Sequence, residues 1–319
     1  MITKNRITQV KLRHLEAFSA IARLGSLKAA CTALHLSPPA LSKTLKELEE
    51  GLGTMLMTRD RGGTRLTPQG ALFLDFTNQS LAALHRGIEG VTDLRDGGRE
   101  TLRVGALPSV AARLMPEAVA RFRQAAPDTQ LMLRDGSHGV LTDALKSGAL
   151  DMIVGRMGPA EAMQGLSFTQ LYLEPVVCVV RAGHPLTKAP VSVDALADWC
   201  ILYPPEDAAI RPLLDRWCLA QGLAPFSERI DCVSGAFGRN YLRVSDALWF
   251  ISEGVVAQDL ADGRLVSLNF DLGLTAGPVG LMTRPDTVTS RSRQLFEQAL
   301  RHAVHDSTSY ESESERIHK

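Results

Sequence analysis

Apolar residues recur at helical spacing through the first hundred positions, then give way to short apolar runs that alternate with helical stretches. The pattern predicts a first helix over Leu12–Leu24, with Leu15, Phe18, Ala22 and Leu24 turned inward and Gly25 ending it. Ala29, Ala30, Ala33 and Leu34 put small groups on one face of a short second helix, as close helix packing requires. After a break at His35-Leu36, Ser37 is a natural N-cap, with proline just inside a third helix. That helix buries Leu41, Leu45 and Leu48 at i, i+4 and i+7. The run Thr58-Arg59-Asp60-Arg61-Gly62-Gly63-Thr64-Arg65-Leu66 reads as two short extended pieces around a Gly-Gly turn. Thr67-Pro68 opens a long helix to about Arg95, along which Leu74, Leu81, Leu84, Ile88 and Val91 form a seam with Thr77 as its weak position. The seam fits a coiled coil or packing onto the same chain. Asp96-Gly97-Gly98-Arg99 reads as a linker.

Beyond it, strands are expected at Leu102–Leu107, Gln130–Leu133 and Asp151–Gly155, separated by helices at Val110–Ala125 and Val140–Ser147. A second set runs strand Val176–Val180, helix near Val193–Ala197, strand Cys200–Tyr203, helix Ile210–Gln221, strand Arg229–Val233, helix Gly238–Val244 and strand Leu248–Ile251. Pro278–Thr283 returns as a strand and Ser290–Val304 is a last helix. This alternation predicts a parallel α/β sheet. The Ser/Glu-rich stretch Ser307–Glu315 reads as disordered.

Composition adds one decisive fact. The 319 residues carry 35 Lys and Arg against 35 Asp and Glu, but the neutrality is an average. Residues 1–66 hold eleven basic and five acidic groups, a balance of +6, and the remainder is −6. A basic head on an acidic body points to a polyanion for the head. No apolar run approaches 20 residues, so no membrane partner is expected, and the N-terminus has neither h-region nor cleavage site. The five scattered cysteines fit a reducing cytoplasm, with a redox-sensing thiol the minority reading. The eight histidines form no ligand spacing, and no metal or cofactor is expected. G-x-S-x-G, G-x-G-x-x-G and phosphate-loop patterns are missing, which leaves an α/β enzyme a remote alternative.

The helical hairpin followed by a basic turn therefore reads as a DNA reader, against the blander reading of a surface hairpin. Ser37, Pro39, Ser42 and Lys43 are base-edge candidates, Pro39 through a thymine methyl, and Pro38 stands beside them in the DNA-binding set. Lys28, Lys46, Arg59, Arg61 and Arg65 are phosphate candidates, the arginines on a wing or on a solvated hairpin.

Several of these motifs also resemble a known family. Gly25-Ser26-Leu27-x-Ala29-Ala30, Leu36-Ser37-x-Pro39-Ala40-x-Ser42-Lys43, Leu48-Glu49 and Arg65-Leu66-Thr67-Pro68-x-Gly70 resemble the LysR-type transcriptional regulators. The resemblance implies a multidomain α+β chain: a winged helix-turn-helix over 1–66, a dimerising linker helix and hinge over 67–98, and an effector-binding domain over 99–306. That domain would have the two-subdomain α/β form of periplasmic solute-binding proteins, one subdomain at about 99–170 and 276–306 and the other at about 171–275. Residues 307–319 remain as a tail. Implied partners are double-stranded DNA at an interrupted dyad, a second copy in a dimer or tetramer, RNA polymerase, and a small-molecule co-inducer. Pro38 departs from relatives that carry Gln there, and Met57 stands where Phe is usual. Ala106–Pro116, Ser245–Ser252 and Thr275–Gly280 resemble a subgroup that includes activators of aromatic-acid breakdown, the protocatechuate operon among their targets. Other ligands, such as a sugar, sulfonate or amino acid, and action as a repressor stay open.

The effector site is expected at loops that follow strands and open helices. Ser109 and Val110, Ser137 and His138, Tyr203 and Pro204, and Ser234 and Gly235 occupy such places and suit a small organic anion. Ser109 and Ser234 fit a plain N-cap as well as a ligand cradle, and His138 a surface histidine as well as a contact. Arg243 would meet a ligand carboxylate or Asp246.

Overall fold

Serine hydroxyls start two short helices near the N-terminus. Ser26 caps α2 (Leu27–Leu34) by accepting from the Ala29 N–H, and Ser37 caps α3 (Pro38–Leu52) by accepting from Ala40. Both follow α1 (Leu12–Leu24), which Gly25 ends at φ +62°. His35 closes α2 in the left-handed region, φ +54°. Strands β1 (Met57–Asp60) and β2 (Gly63–Leu66) pair antiparallel, and α4 runs Pro68–Asp96. The computed structural model describes residues 9–60, 63–96, 99–285 and 289–317. The chain divides into two compact units at Gly98-Arg99.

Phe18, Ile21, Leu41, Leu45, Leu48 and Leu56 form the core of the first unit. Two expectations about it need correction. Ala29 and Ala33 are exposed; at 100° per residue Leu27, Ala30, Cys31 and Leu34 share the inward face instead. Leu24 is exposed, and the buried positions of α1 include His14 and Ala17. The seam of α4 divides in two. Thr77 is buried and Leu74 and Leu81 are half-buried on their own domain, where Ser19 also bonds Asn78 at 2.8 Å. Leu84, Ile88 and Val91 are exposed.

The second unit holds two five-stranded sheets. The first has order β4-β3-β5-β12-β6, from β3 (Thr101–Ala106), β4 (Gln130–Asp135), β5 (Met152–Arg156), β6 (Ser167–Glu174) and β12 (Gly277–Thr283). The second has order β11-β7-β10-β8-β9, from β7 (Val176–Arg181), β8 (Ile201–Tyr203), β9 (Arg229–Asp231), β10 (Leu248–Ser252) and β11 (Leu265–Ser267). Neither is purely parallel as expected. β12 lies antiparallel to β5 and β6, and β7 antiparallel to β10 and β11, because the chain crosses from one sheet to the other after Glu174 and returns before Gly277. β6 thus carries the first sheet past the expected boundary at residue 170.

The helix expected over Val110–Ala125 is two, α5 (Pro108–Arg113) and α6 (Met115–Ala125), because Pro116 cannot donate into a continuous ladder. α7 is His138–Lys146, α8 Ala160–Met163, α9 Arg211–Ala220, α10 Gly235–Val244 and α11 Glu253–Ala261. α12 runs Arg291–Ile317, so most of the stretch read as disordered is helical backbone. Phe122 of α6 and Phe296 of α12 meet edge to face at 5.3 Å against the first sheet. Among the described residues no helix is long and apolar enough to cross a membrane.

Candidate functional site

The hairpin of α2 and α3 presents the DNA candidates as a surface. Burying Leu41, Leu45 and Leu48 turns the opposite face of α3 outward, leaving Ser37, Pro38, Pro39, Lys43 and Lys46 exposed and Ser42 half-buried. Lys28 on α2 and Arg65 on β2 are exposed too. The Arg59 side chain and all of Arg61 lie outside the described residues.

Three acidic residues, to which the sequence reading gave no structural role, brace this surface. Glu47 accepts from Arg13 at 2.9 Å and meets the buried His14 Nε2 at 3.4 Å, joining α3 to α1. The Arg13 hydrogen bond holds the Glu47 carboxyl below its ordinary range, against the opposing effect of desolvation. Glu49 Oε1 accepts from the backbone N–H groups of Leu56 (2.8 Å) and Met57 (3.1 Å), fixing where β1 leaves α3. Glu50 stands 3.6 Å from Lys46. Thr67 then locks the far side of the wing: its hydroxyl donates to Met55 O and accepts from the Gly70 N–H.

In the second unit a cavity of about 420 Å³ opens between the two sheets. Ser109, Ser137, His138, Ser234 and Gly235 line it, as the sequence reading proposed, together with Arg156, Ile210, Ser252 and Val255. Val110, Tyr203 and Pro204 do not. Val110 points into the core of the first sheet. Tyr203 belongs to the core of the second, where its hydroxyl bonds Asp215 at 2.8 Å and burial raises its pKa strongly. Pro204 is buried, its carbonyl accepting from Arg211. Ser234 is an N-cap, accepting from the Phe237 N–H at 3.2 Å. Ser109 is not: the N-cap position of α5 is Leu107, which makes no side-chain cap, and Ser109 sits in the first turn, 5% exposed. The His138 ring lies so close to Gly158 that a Cβ there would come within 2.1 Å of it. Arg243 is exposed, and Asp246 pairs with Arg181 at 2.6 Å.

Arg156 is the residue the sequence reading missed. It ends β5, lines the cavity and is 3% exposed. Its Nη2 donates to Glu174 O at 2.7 Å and stands 3.5 Å from Glu174 Oε2, while Nη1 donates to Thr275 O at 3.4 Å. Among the described residues its buried Nε has no hydrogen-bond partner. Burial lowers the guanidinium pKa and the Glu174 carboxylate raises it. Glu174 also accepts from the Gly254 N–H at the start of α11, and the Val176 N–H donates to Thr275 Oγ1 at 3.0 Å. One cation therefore grips both chain crossings between the sheets. It lines the cavity with the buried Ser109, His138 and Ser252, among mostly apolar neighbours such as Ile210 and Val255, while Asp135 and Asp207 in the same lining are exposed. Such a lining suits an organic anion with an apolar body.

Burial raises the thiol pKa values of Cys178, Cys200 and Cys218, which disfavours reactive thiolate. Among the described residues no group of three His, Cys, Asp or Glu side chains could hold a metal.

Known proteins match over nearly the whole chain. A model described as a bacterial regulatory helix-turn-helix protein of the lysR family matches residues 12–71, and one described as the LysR substrate binding domain matches residues 95–304. The chain is 41% identical over 297 residues to the HTH-type transcriptional regulator PcaQ of Agrobacterium fabrum, covering 93% of this chain and 96% of the relative. It is 34% identical over 296 residues to the uncharacterized HTH-type transcriptional regulator YdcI of Escherichia coli, covering 93% and 96%. The crystal structure of full-length CbnR complexed with its target DNA shares the fold at a TM-score of 0.57 and 18% identity, covering 92% of this chain and 100% of that one.

Proposed function

Because this chain belongs to the LysR family of DNA-binding transcriptional regulators, and is not an enzyme, we propose that it switches a promoter in response to a small organic acid held in the cavity of its second unit. The observation that carries the reading is the buried Arg156, placed among serine hydroxyls at helix starts in a mostly apolar cleft. The anionic end of the effector lies at Arg156, Ser109 and Ser252, and its apolar body against Ile210 and Val255. An aromatic acid fits both this lining and the subgroup resemblance of Ala106–Pro116, and activation of a catabolic operon, through contact with RNA polymerase in the cytoplasm, follows from the same resemblance.

Ser37, Ser42 and Lys43 read base edges and Lys28, Lys46 and Arg65 hold phosphates, with Arg59 and Arg61 assigned to the wing on sequence alone. The exposed Leu84, Ile88 and Val91 of α4 are covered by a second copy, so that half-sites stand about 10 bp, or a multiple, apart. Footprinting the region upstream of the neighbouring operon, with and without a panel of aromatic acids, tests the reading. A ligand that changes the footprint supports it. Ser109→Phe should abolish that change while leaving basal DNA binding intact, and an undiminished response in Ser109→Phe would refute the cradle.

A further inference from the structure

The cavity of the second unit is electrically uneven from one end to the other. Arg156 is the one Lys or Arg among its described lining residues, and Asp135 and Asp207 are the two carboxylates. Strand order separates them. Arg156 ends β5, beside the chain crossings that its guanidinium holds at Glu174 O and Thr275 O. Asp135 ends β4, the edge strand on the other side of β3, where Ala106 stands opposite both Asp135 and Val154. Two strand spacings put the ends of β4 and β5 about 10 Å apart. The second sheet repeats the arrangement. Ser252 ends β10, next to the crossing strand β7, and Asp207 follows β8, one strand farther out. The cation and a hydroxyl therefore stand at the inner end of the cavity and both carboxylates at the outer end.

Among the described residues neither carboxylate has an ion-pair partner, and the arginines that follow Asp207 are engaged elsewhere, Arg211 with Asp215 and Arg229 with Asp231. At the inner end the Arg156 Nε is buried and, among the described residues, without a hydrogen-bond partner, while Glu174 stands 3.5 Å from Nη2 and offsets its charge. That leaves a place for one ligand carboxylate. A second carboxylate at the outer end would meet two like charges, which costs affinity. An O–H or N–H there would meet charged acceptors, the stronger kind of hydrogen bond. We propose that the effector carries a single carboxylate, held by Arg156, and a hydrogen-bond donor at its far end, held by Asp135 and Asp207, and that these aspartates exclude dicarboxylates. The inference rests on the effector reading above and narrows its ligand class. A hydroxyl and an ammonium supply the same donor chemistry, and the test separates them.

The full-length protein is titrated calorimetrically with acids built on one scaffold: benzoate, para-hydroxybenzoate, para-methoxybenzoate, para-(aminomethyl)benzoate and terephthalate. The hydroxyl or the ammonium compound should bind about tenfold more tightly than the methoxy compound, which fills the same place but cannot donate. Whichever of the two binds tighter identifies the donor. Terephthalate should bind most weakly of all. In Asp135→Asn/Asp207→Asn, terephthalate should gain about tenfold and the preference for a donor should shrink, because the charge is gone. The series on the unaltered protein stands even if the double variant misfolds. Terephthalate binding as tightly as the hydroxyl and ammonium compounds, or a ranking unchanged in the folded variant, would overturn the inference while leaving an effector site in place. Binding of none of these acids would overturn the effector reading with it.

Discussion

Replacing Arg156 by methionine tests the part of the second unit on which most depends. The substitution keeps an unbranched apolar stem, though a shorter one, and removes the guanidinium. The Glu174 carboxylate, wholly buried, then keeps the Gly254 N–H but loses its cation, and the carbonyls of Glu174 and Thr275 lose their donor. Breaking a buried ion pair from one side costs roughly 3–5 kcal/mol. For a unit of this size that is a fall of roughly 6–20 °C in Tm, at about 2–4 °C per kcal/mol. In Arg156→Met/Glu174→Gln no charge is stranded, and the glutamine oxygen can still accept from Gly254. The double variant should be less destabilised than the single, by about 1–3 kcal/mol. Tryptophan fluorescence during urea unfolding is a suitable assay: Trp199, Trp217 and Trp249, the only tryptophans of the chain, all pack in the core of the second sheet. A loss below about 1 kcal/mol in Arg156→Met would mean the pair does not work as a buried unit. A double variant as unstable as the single would refute the stranded-charge argument.

Three further outcomes concern the DNA-binding unit. Gly70→Ala would place a Cβ 1.9 Å from Leu56 O, in rigid backbone, and should cost roughly 3 kcal/mol, read as a lower midpoint in far-UV circular dichroism. The depressed Glu47 pKa stabilises the fold above the ordinary value of 4.5, and that contribution fades as pH falls through the folded-state value. Glu47→Gln should therefore unfold with a flatter acid limb than the parent, and superposable limbs would count against the Arg13–Glu47 contact. Lys46→Ala should weaken binding to all sequences and reduce the salt slope by about 0.9, whereas a changed base preference at constant slope would reassign Lys46 to base reading.

What could be seen in the sequence follows from which forces are local. Ser37, Pro38 and the Leu41-Leu45-Leu48 stripe state their helix in one turn of chain, and the structure has it where they place it. Ala29 and Ala33 misled because small residues suit both a close helix contact and an open surface, and only the phase of Ala30 and Cys31 separates the two. β6 was missed because an edge strand with half of its positions exposed and only one buried carries little apolar alternation. The serine-bearing loops of the cleft were legible because helix starts announce themselves. Arg156 was not, since its partners lie 18 and 119 residues away and a charge ending an apolar run looks like a strand leaving the core. Tyr203 failed for the converse reason: it is the last residue of β8, an interior strand of its sheet, and its ring turns inward.

The single carboxylate oxygen of Glu49 has a consequence for how an operator can vary. By holding both the Leu56 and Met57 N–H groups it makes α3 and the root of the wing one rigid caliper. The distance along the duplex between the positions proposed for the helix and for the wing is then set by these hydrogen bonds within each protomer. An inserted base pair inside a half-site cannot be absorbed by the reader, while one inserted between half-sites falls to the contact between copies. Natural operators of this protein should accordingly be strict in length within each arm and loose, if anywhere, at the dyad.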